Sequence, residues 1–180
     1  MPAHLNFPPG LLLKAQGLKV VFFDVDGVMT DGALYFTEHG ETIKRFHVQD
    51  GYGLVLLRQA GIAPAVVTGR DSPALRVRLE ELGITHARFG VTDKVHAAQG
   101  VLDALGVRWD QAAAMGDDWP DLPLLRCCAF AVAPASAHLE VLAGVDYVTP
   151  RCGGRGAVRD LCDLLLVASG KYAGLLDGAG

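Results

Sequence analysis

No two cysteines in this chain stand at C-x-x-C spacing. The four thiols, Cys127, Cys128, Cys152 and Cys162, include one adjacent pair and no zinc-type grouping. A structural zinc site is therefore excluded, and free buried thiols in a reducing compartment are expected. No apolar run approaches the roughly 20 residues that cross a bilayer. Leu11-Leu12-Leu13 is too short for the apolar stretch of a secretion signal, and only His4 precedes it as a cation. The expected location is cytoplasmic, with no membrane contact. Basic excess is missing too. The formal net charge is −4 with no basic stripe, which argues against a nucleic-acid partner. No linker divides the chain, and its 180 residues suit one domain, 1–180, with a substantial core. Residues 1–18, with Pro8, Pro9 and Gly10, read as a lead-in holding one helical turn, and 170–180 as a mobile tail of small residues.

What is present begins with Val20-Val21-Phe22-Phe23-Asp24-Val25-Asp26-Gly27-Val28. A fully apolar run reads as a strand buried on both faces in a parallel sheet. It ends in two carboxylates one residue apart. Alternation alone sends them to opposite faces, but Gly27 lets the chain turn so that both face the crevice beyond the strand ends. Similar punctuation follows. Ala65-Val66-Val67 ends in Thr68-Gly69-Arg70. Ala87-Arg88-Phe89 leads to Asp93-Lys94, and Ala112-Ala113-Ala114-Met115 ends in Gly116-Asp117-Asp118. In a parallel sheet these termini share one edge, so the polar groups converge.

Between these strands the sequence spells helices. Asp50 is placed to cap a helix running to about Gln59, and Ser72-Pro73 opens another that Gly83 closes. Thr92 or Asp93 caps a third ending at Gly106. A short helix at about 120–126, a strand over Ala129-Val132, a helix from Ser136, a strand near Asp146-Val148 and a helix from Gly156 to Ser169 complete the pattern. Strands alternating with helices predict an α/β fold: a Rossmann-like parallel sheet with helices on both faces. The departure is a β-hairpin over 33–46, turning at Glu38-His39-Gly40 and projecting above the active edge. Two strands alone are marginal in water. Leu34, Tyr35, Phe36, Ile43 and Phe46 therefore predict pairing with hairpins of other subunits.

The converging residues suit phosphoryl transfer. Asp24 is the candidate nucleophile, and its attack on an anionic ester needs a cation bridging both. Asp24, Asp117 and Asp118 supply the hard oxygens that suit Mg²⁺. Lys94 and the Thr68 hydroxyl address phosphoryl oxygens, while Asp26 is placed to protonate the leaving alcohol and later activate water. Taken singly, each motif has a plain structural reading as a turn, a cap or a solvated helix residue. Four of them in order, each at or just past a strand end, point to a site.

That arrangement resembles the haloacid dehalogenase superfamily of aspartyl-phosphate phosphatases. Asp24-Val25-Asp26-Gly27 matches its first motif, Thr68 the second, Lys94 the third and Gly116-Asp117-Asp118-x-x-Asp121 the fourth. The resemblance implies Mg²⁺ held by Asp24, the backbone carbonyl of Asp26, and Asp117. The closer likeness is to a capless, tetrameric subfamily. It rests on Thr30-Asp31-Gly32, the hairpin, Asp50-Gly51-Tyr52-Gly53, Thr68-Gly69-Arg70 and Gly153-Gly154-Arg155-Gly156-Ala157-Val158-Arg159. One helix and one strand separate Thr68 from Lys94, which leaves no room for an inserted cap domain. The likeness implies hydrolysis of 3-deoxy-D-manno-octulosonate 8-phosphate in lipopolysaccharide precursor synthesis, in a homotetramer joined through its hairpins. It also implies sugar-acid contacts from His47, Gln49, Asp50, Gly51, Gly69, Arg70, Arg78 and Arg155. A guanidinium at Arg70 or Arg78 suits a carboxylate.

The chain departs from that pattern at His47-Val48-Gln49, where Asn-x-Arg is expected, and at Val55, where a basic residue is expected. A nine-carbon 2-keto sugar-acid 9-phosphate is therefore an alternative substrate, as is a general small phosphoester. A non-catalytic assembly module is the rival of a different class. The intact Asp24, Asp26, Thr68, Lys94 and Asp117 set speaks against it.

Overall fold

A computed structural model describes residues 5–178. The elements in order are α1 (Pro9–Lys14), β1 (Val20–Phe23), β2 (Tyr35–Thr37), β3 (Gly40–Ile43), α2 (Val48–Gln59), β4 (Ala63–Val67), α3 (Pro73–Glu81), β5 (His86–Arg88), α4 (Lys94–Leu105), β6 (Ala112–Met115), α5 (Leu122–Cys127), β7 (Phe130–Ala133), α6 (Leu139–Leu142), β8 (Tyr147–Val148), α7 (Ala157–Ala168) and α8 (Tyr172–Asp177). Six strands form a parallel sheet in the order β5-β4-β1-β6-β7-β8, while β2 and β3 pair antiparallel as a separate ribbon. The α/β reading and the projecting hairpin therefore hold, and no further domain intervenes between β4 and α4.

Period-two alternation in β1 divides the core. Val21 and Phe23 join Leu54, Leu57, Leu75, Leu79, Leu161 and Leu165 on one face of the sheet. Val20 and Phe22 join Val101, Leu102, Leu124 and Val141 on the other. All four β1 residues are buried, as their unbroken apolar run predicts. Truncating Phe22 or Phe23 to Ala in such surroundings costs about 3–5 kcal/mol.

Several boundaries differ from the sequence reading, for identifiable reasons. The ribbon strands are shorter than 33–46, with a register irregularity between Tyr35 and Phe36. Helix α2 starts at Val48, with His47 as the extended residue before it. Asp50, expected as its cap, lies inside the first turn and serves another helix. Its carboxylate accepts from the Gly156 N–H at 3.3 Å and the Arg159 N–H at 2.8 Å, at the start of α7. The α4 reading holds: Asp93 accepts from the His96 N–H at 2.9 Å, and left-handed Gly106 ends the helix. The helix expected from Ser136 is the four-residue α6. Residues 172–177, read as part of a tail, form α8, whose Tyr172 and Leu175 pack against the core. Residues 1–4 of the lead-in and 179–180 of the tail lie outside the described residues. The four cysteines are free thiols, but only Cys162 is buried as expected; Cys127 and Cys152 are exposed.

Candidate active site

The register of the central strands builds the site. Phe23 of β1 pairs with Val66 of β4 on one side and Met115 of β6 on the other. The chain then continues from each strand into Asp24, Thr68 and Gly116-Asp117, which emerge side by side at the C-terminal edge. Asp24, Asp26, Thr68, Gly69, Arg70, Lys94, Asp117, Asp118 and Asp121 line one open cleft of about 570 Å³, a size ordinary for small-molecule sites.

Lys94, in the first turn of α4, is buried and reaches back across the edge. Its Nζ donates to Asp24 Oδ1 at 2.7 Å and to Asp121 Oδ1 at 2.6 Å. Burial disfavours its charge, but Asp24 and Asp121 outweigh that and hold its pKa above the usual lysine value. Burial pushes the Asp24 carboxyl up to about 6, helped by the Asp121 charge and opposed by Lys94. Asp117 rises to about 7 through burial and repulsion from Asp24, Asp121 and Asp118. The Thr68 side chain is buried, and its Oγ1 accepts from the Arg70 N–H at 3.3 Å. The hydroxyl proton is thereby left for a ligand oxygen.

The acidic group differs from the sequence reading in one member. Carboxylate oxygens of Asp24, Asp117 and Asp121 come within 4.8 Å of one another. Asp118, expected as a ligand, is not in that group among the described residues. Its Oδ1 instead accepts from the Trp119 N–H at 2.8 Å, opening a single 3-10 turn over Trp119–Asp121. Asp121 is the residue that sequence reasoning left without a role. Its Oδ2 accepts from the N–H groups of Asp117, at 2.9 Å, and Asp118, at 3.2 Å, while Oδ1 takes Lys94. It thus fixes both the acidic loop and the lysine. The spacing Asp118-x-x-Asp121 carried the signal, since it is a capping box in acidic residues.

Two glycines make the crowding possible. A side chain at Gly27, which has φ +91°, would meet Asp117 Oδ2 at 2.0 Å, and one at Gly116 would meet the Asp121 Cβ at 2.4 Å. The packed oxygens of Asp24 and Asp117, whose pKa values are raised, form a donor set suited to a hard divalent cation. Asp24 and Asp117 have oxygens free for it, whereas both Asp121 oxygens are committed.

Asp26 faces away from this group, toward the hairpin. Its Oδ1 pairs with Lys44 Nζ, and Oδ2 lies 3.8 Å from Arg70 Nε. The remaining expected contacts are distributed. His47, Gln49 and Arg155 line a separate groove with Arg45, Phe46 and Gly154. Gln49 Oε1 accepts from Arg151 at 3.0 Å, and the loop carrying Arg155 is tied to the segment after β1 by Gly154 N–H to Val28 O at 3.0 Å. His47, Asp50, Gly51 and Arg78 instead wall a narrow crevice. There Arg78 packs against Gly51 and pairs with Glu81 at 2.7 Å. Asp50 and Gly51 are buried, so the structure gives them a packing role, not an open ligand face. Val55 packs against the core.

Residues 89–156 match the family described as haloacid dehalogenase-like hydrolases. The chain is 44% identical over 158 residues to the 3-deoxy-D-manno-octulosonate 8-phosphate phosphatase KdsC of Haemophilus influenzae, covering 88% of each. Against KdsC of Salmonella typhimurium it is 40% identical over 163 residues, 91% of this chain and 87% of that one. The chain belongs to the haloacid dehalogenase-like phosphatases. The crystal structure of the Moraxella catarrhalis octulosonate phosphatase, solved with magnesium, phosphate and KDO, superposes with a TM-score of 0.91 at 37% identity. That match covers 95% of this chain and 98% of the other. The fold and sequence of this chain are thus those of a haloacid dehalogenase-like phosphatase.

Proposed function

We propose that this enzyme hydrolyses 3-deoxy-D-manno-octulosonate 8-phosphate to the free sugar acid and phosphate, in lipopolysaccharide precursor synthesis. The observation that carries the reading is the meeting of Asp24 with Lys94 at 2.7 Å, from positions 70 residues apart, in a cleft that also holds Thr68, Arg70 and Asp117. The relatives that share 40–44% of its residues carry that activity in their names.

The roles follow from placement. Asp24 attacks phosphorus, forming an aspartyl phosphate and expelling the sugar alkoxide, which Asp26 protonates. Asp26 then takes a proton from the water that cleaves the acyl phosphate and restores Asp24. Lys94 and the Thr68 hydroxyl hold phosphoryl oxygens. Asp24, Asp117 and the Asp26 carbonyl would hold Mg²⁺, which would supply charge neutralisation for the attack on an anionic ester. Arg70 offers a guanidinium to the sugar-acid carboxylate.

Two further readings concern setting. The hairpin exposes Leu34, Tyr35, Phe36 and Ile43 on a ribbon with no core of its own, which supports assembly into a homotetramer through that ribbon. The four free thiols support a cytoplasmic location. Among the described residues no helix is long and apolar enough to cross a membrane.

The test is phosphate release from a panel holding the eight-carbon 8-phosphate, a nine-carbon 2-keto acid 9-phosphate and neutral sugar phosphates, with Mg²⁺ or EDTA. The reading expects metal-dependent preference for the eight-carbon ester. Preference for the nine-carbon ester would move the substrate, and no turnover of any ester would leave an assembly module. Light scattering on the eluting protein tests the tetramer, and a monomer refutes it.

A further inference from the structure

The hairpin contributes two charges to the site that the reaction above does not use. Along β3 and the residue after it, Glu41 and Lys44 turn inward, with side chains 12% and 2% exposed, while Ile43 between them is 60% exposed. Lys44 Nζ bridges Asp26 Oδ1 and Glu41 Oε1, the latter at 2.6 Å. Glu41 Oε2 lies 3.4 Å from Arg70 Nε, and Asp26 Oδ2 lies 3.8 Å from the same nitrogen. Two acidic and two basic side chains thus close a ring that joins the hairpin to the catalytic edge. Asp26 and Arg70 line the cleft, whereas Glu41 and Lys44 reach them from the hairpin side.

We propose that Glu41 is a specificity-determining residue. Its carboxylate occupies Arg70 ahead of substrate, and only a phosphate ester bringing a carboxylate of its own takes Arg70 over. The proposal rests on the sugar-acid reading.

The geometry makes the exchange one-sided. Arg70 gives Glu41 one long contact through Nε, and its two terminal nitrogens make no hydrogen bond among the described residues. A ligand carboxylate meeting the guanidinium in a fork gains two parallel charge-assisted bonds in place of one. Glu41 keeps Lys44 as partner, so it is not left as an unpaired buried charge when Arg70 turns to the ligand. An ester without a carboxylate leaves the ring closed. It then gains nothing from Arg70, which stays with Glu41. Glu41 thus withholds the guanidinium from the wrong ester more than from the right one, which is how a competing contact creates selectivity.

The test compares kcat/KM for 3-deoxy-D-manno-octulosonate 8-phosphate with that for p-nitrophenyl phosphate. In Glu41→Gln the carboxylate-free ester should gain about tenfold, the value of one charge-assisted contact at the low end. The acid ester should stay within about threefold, so discrimination falls. In the Arg70→Gln background, Glu41→Gln should leave the ratio unchanged, because the partner it acts through is gone. Glu41→Asp, which keeps the charge but shortens the reach, should relax discrimination in the same direction. It serves where thermal melting shows Glu41→Gln to be misfolded. A purely structural anchor would move both esters together. An unchanged ratio in the folded variant, or an equal change without Arg70, overturns the proposal. A wild-type enzyme with no preference for the acid ester removes the substrate reading and this one with it. Undiminished preference in the folded variant removes this one alone.

Discussion

Asp117→Asn should stabilise the metal-free protein while abolishing its activity. Asp117 is crowded by Asp24, Asp121 and Asp118 and is partly buried, and its carboxyl is displaced from 3.8 to about 7. In the unfolded chain it titrates at its ordinary value. Between those two values the folded state binds the extra proton, so stability falls as pH rises through that window. At pH 8 the carboxylate is ionised in both states and its full cost is present. Each pKa unit is worth about 1.4 kcal/mol, which sets a ceiling of about 4 kcal/mol for the shift to about 7. Solvent screening at a half-open carboxylate lowers the realistic figure to about 1–2 kcal/mol. For a chain of this length that is a melting shift of about 2–8 °C. The assay is thermal unfolding with EDTA at pH 8 and again at pH 5.5. The variant should melt higher than wild type at pH 8, and the gap should shrink at pH 5.5, where wild-type Asp117 carries its proton. With saturating Mg²⁺ the order should invert, since only the wild type gains binding energy of about 2.7 kcal/mol at a hundredfold excess over Kd. A variant that melts below wild type at pH 8 without metal would refute the view of Asp117 as a strained member of an acidic cluster.

Two further outcomes follow from the same geometry. Asp24→Asn should leave no phosphate release, because the covalent step is gone, while Asp26→Asn should retain a trace, about 10²–10⁴-fold below wild type; equal residual rates in the two would contradict their separate roles. Lys94→Met should cost about 3–5 kcal/mol in chemical denaturation at pH 8, since it leaves Asp24 and Asp121 facing each other without their shared cation; a loss below about 1 kcal/mol would count against that pairing.

Most of the scaffold was legible because it depends on local patterns. Apolar runs of three or four residues gave β1, β4, β6 and β7, and Asp93 with Gly106 bracketed α4. The convergence of Asp24, Thr68, Lys94 and Asp117 was legible for a related reason: parallel strands put their C-terminal ends on one edge. What stayed hidden depends on which partner a side chain chooses across the fold. Asp118 and Asp121 are chemically alike in sequence, and only the path of the 3-10 turn sends one to a backbone cap and the other to Lys94. Asp50 looked like the cap of its own helix, but its carboxylate belongs to α7, more than 100 residues downstream. Glu41 and Lys44 drew no reading, because nothing local marks a side chain that folds inward from a ribbon. Helix α8 was lost in a composition of small residues, where docking against α7 outweighs weak propensity.

Placing β1 at the middle of the sheet, between β4 and β6, separates two kinds of evolutionary freedom. The acidic groups sit at the end of a strand held from both sides. On the proposal made for Glu41, selection among esters is shared with a two-stranded ribbon joined to that platform by ion pairs. Changes on the ribbon could then shift substrate choice without touching the strand that carries Asp24.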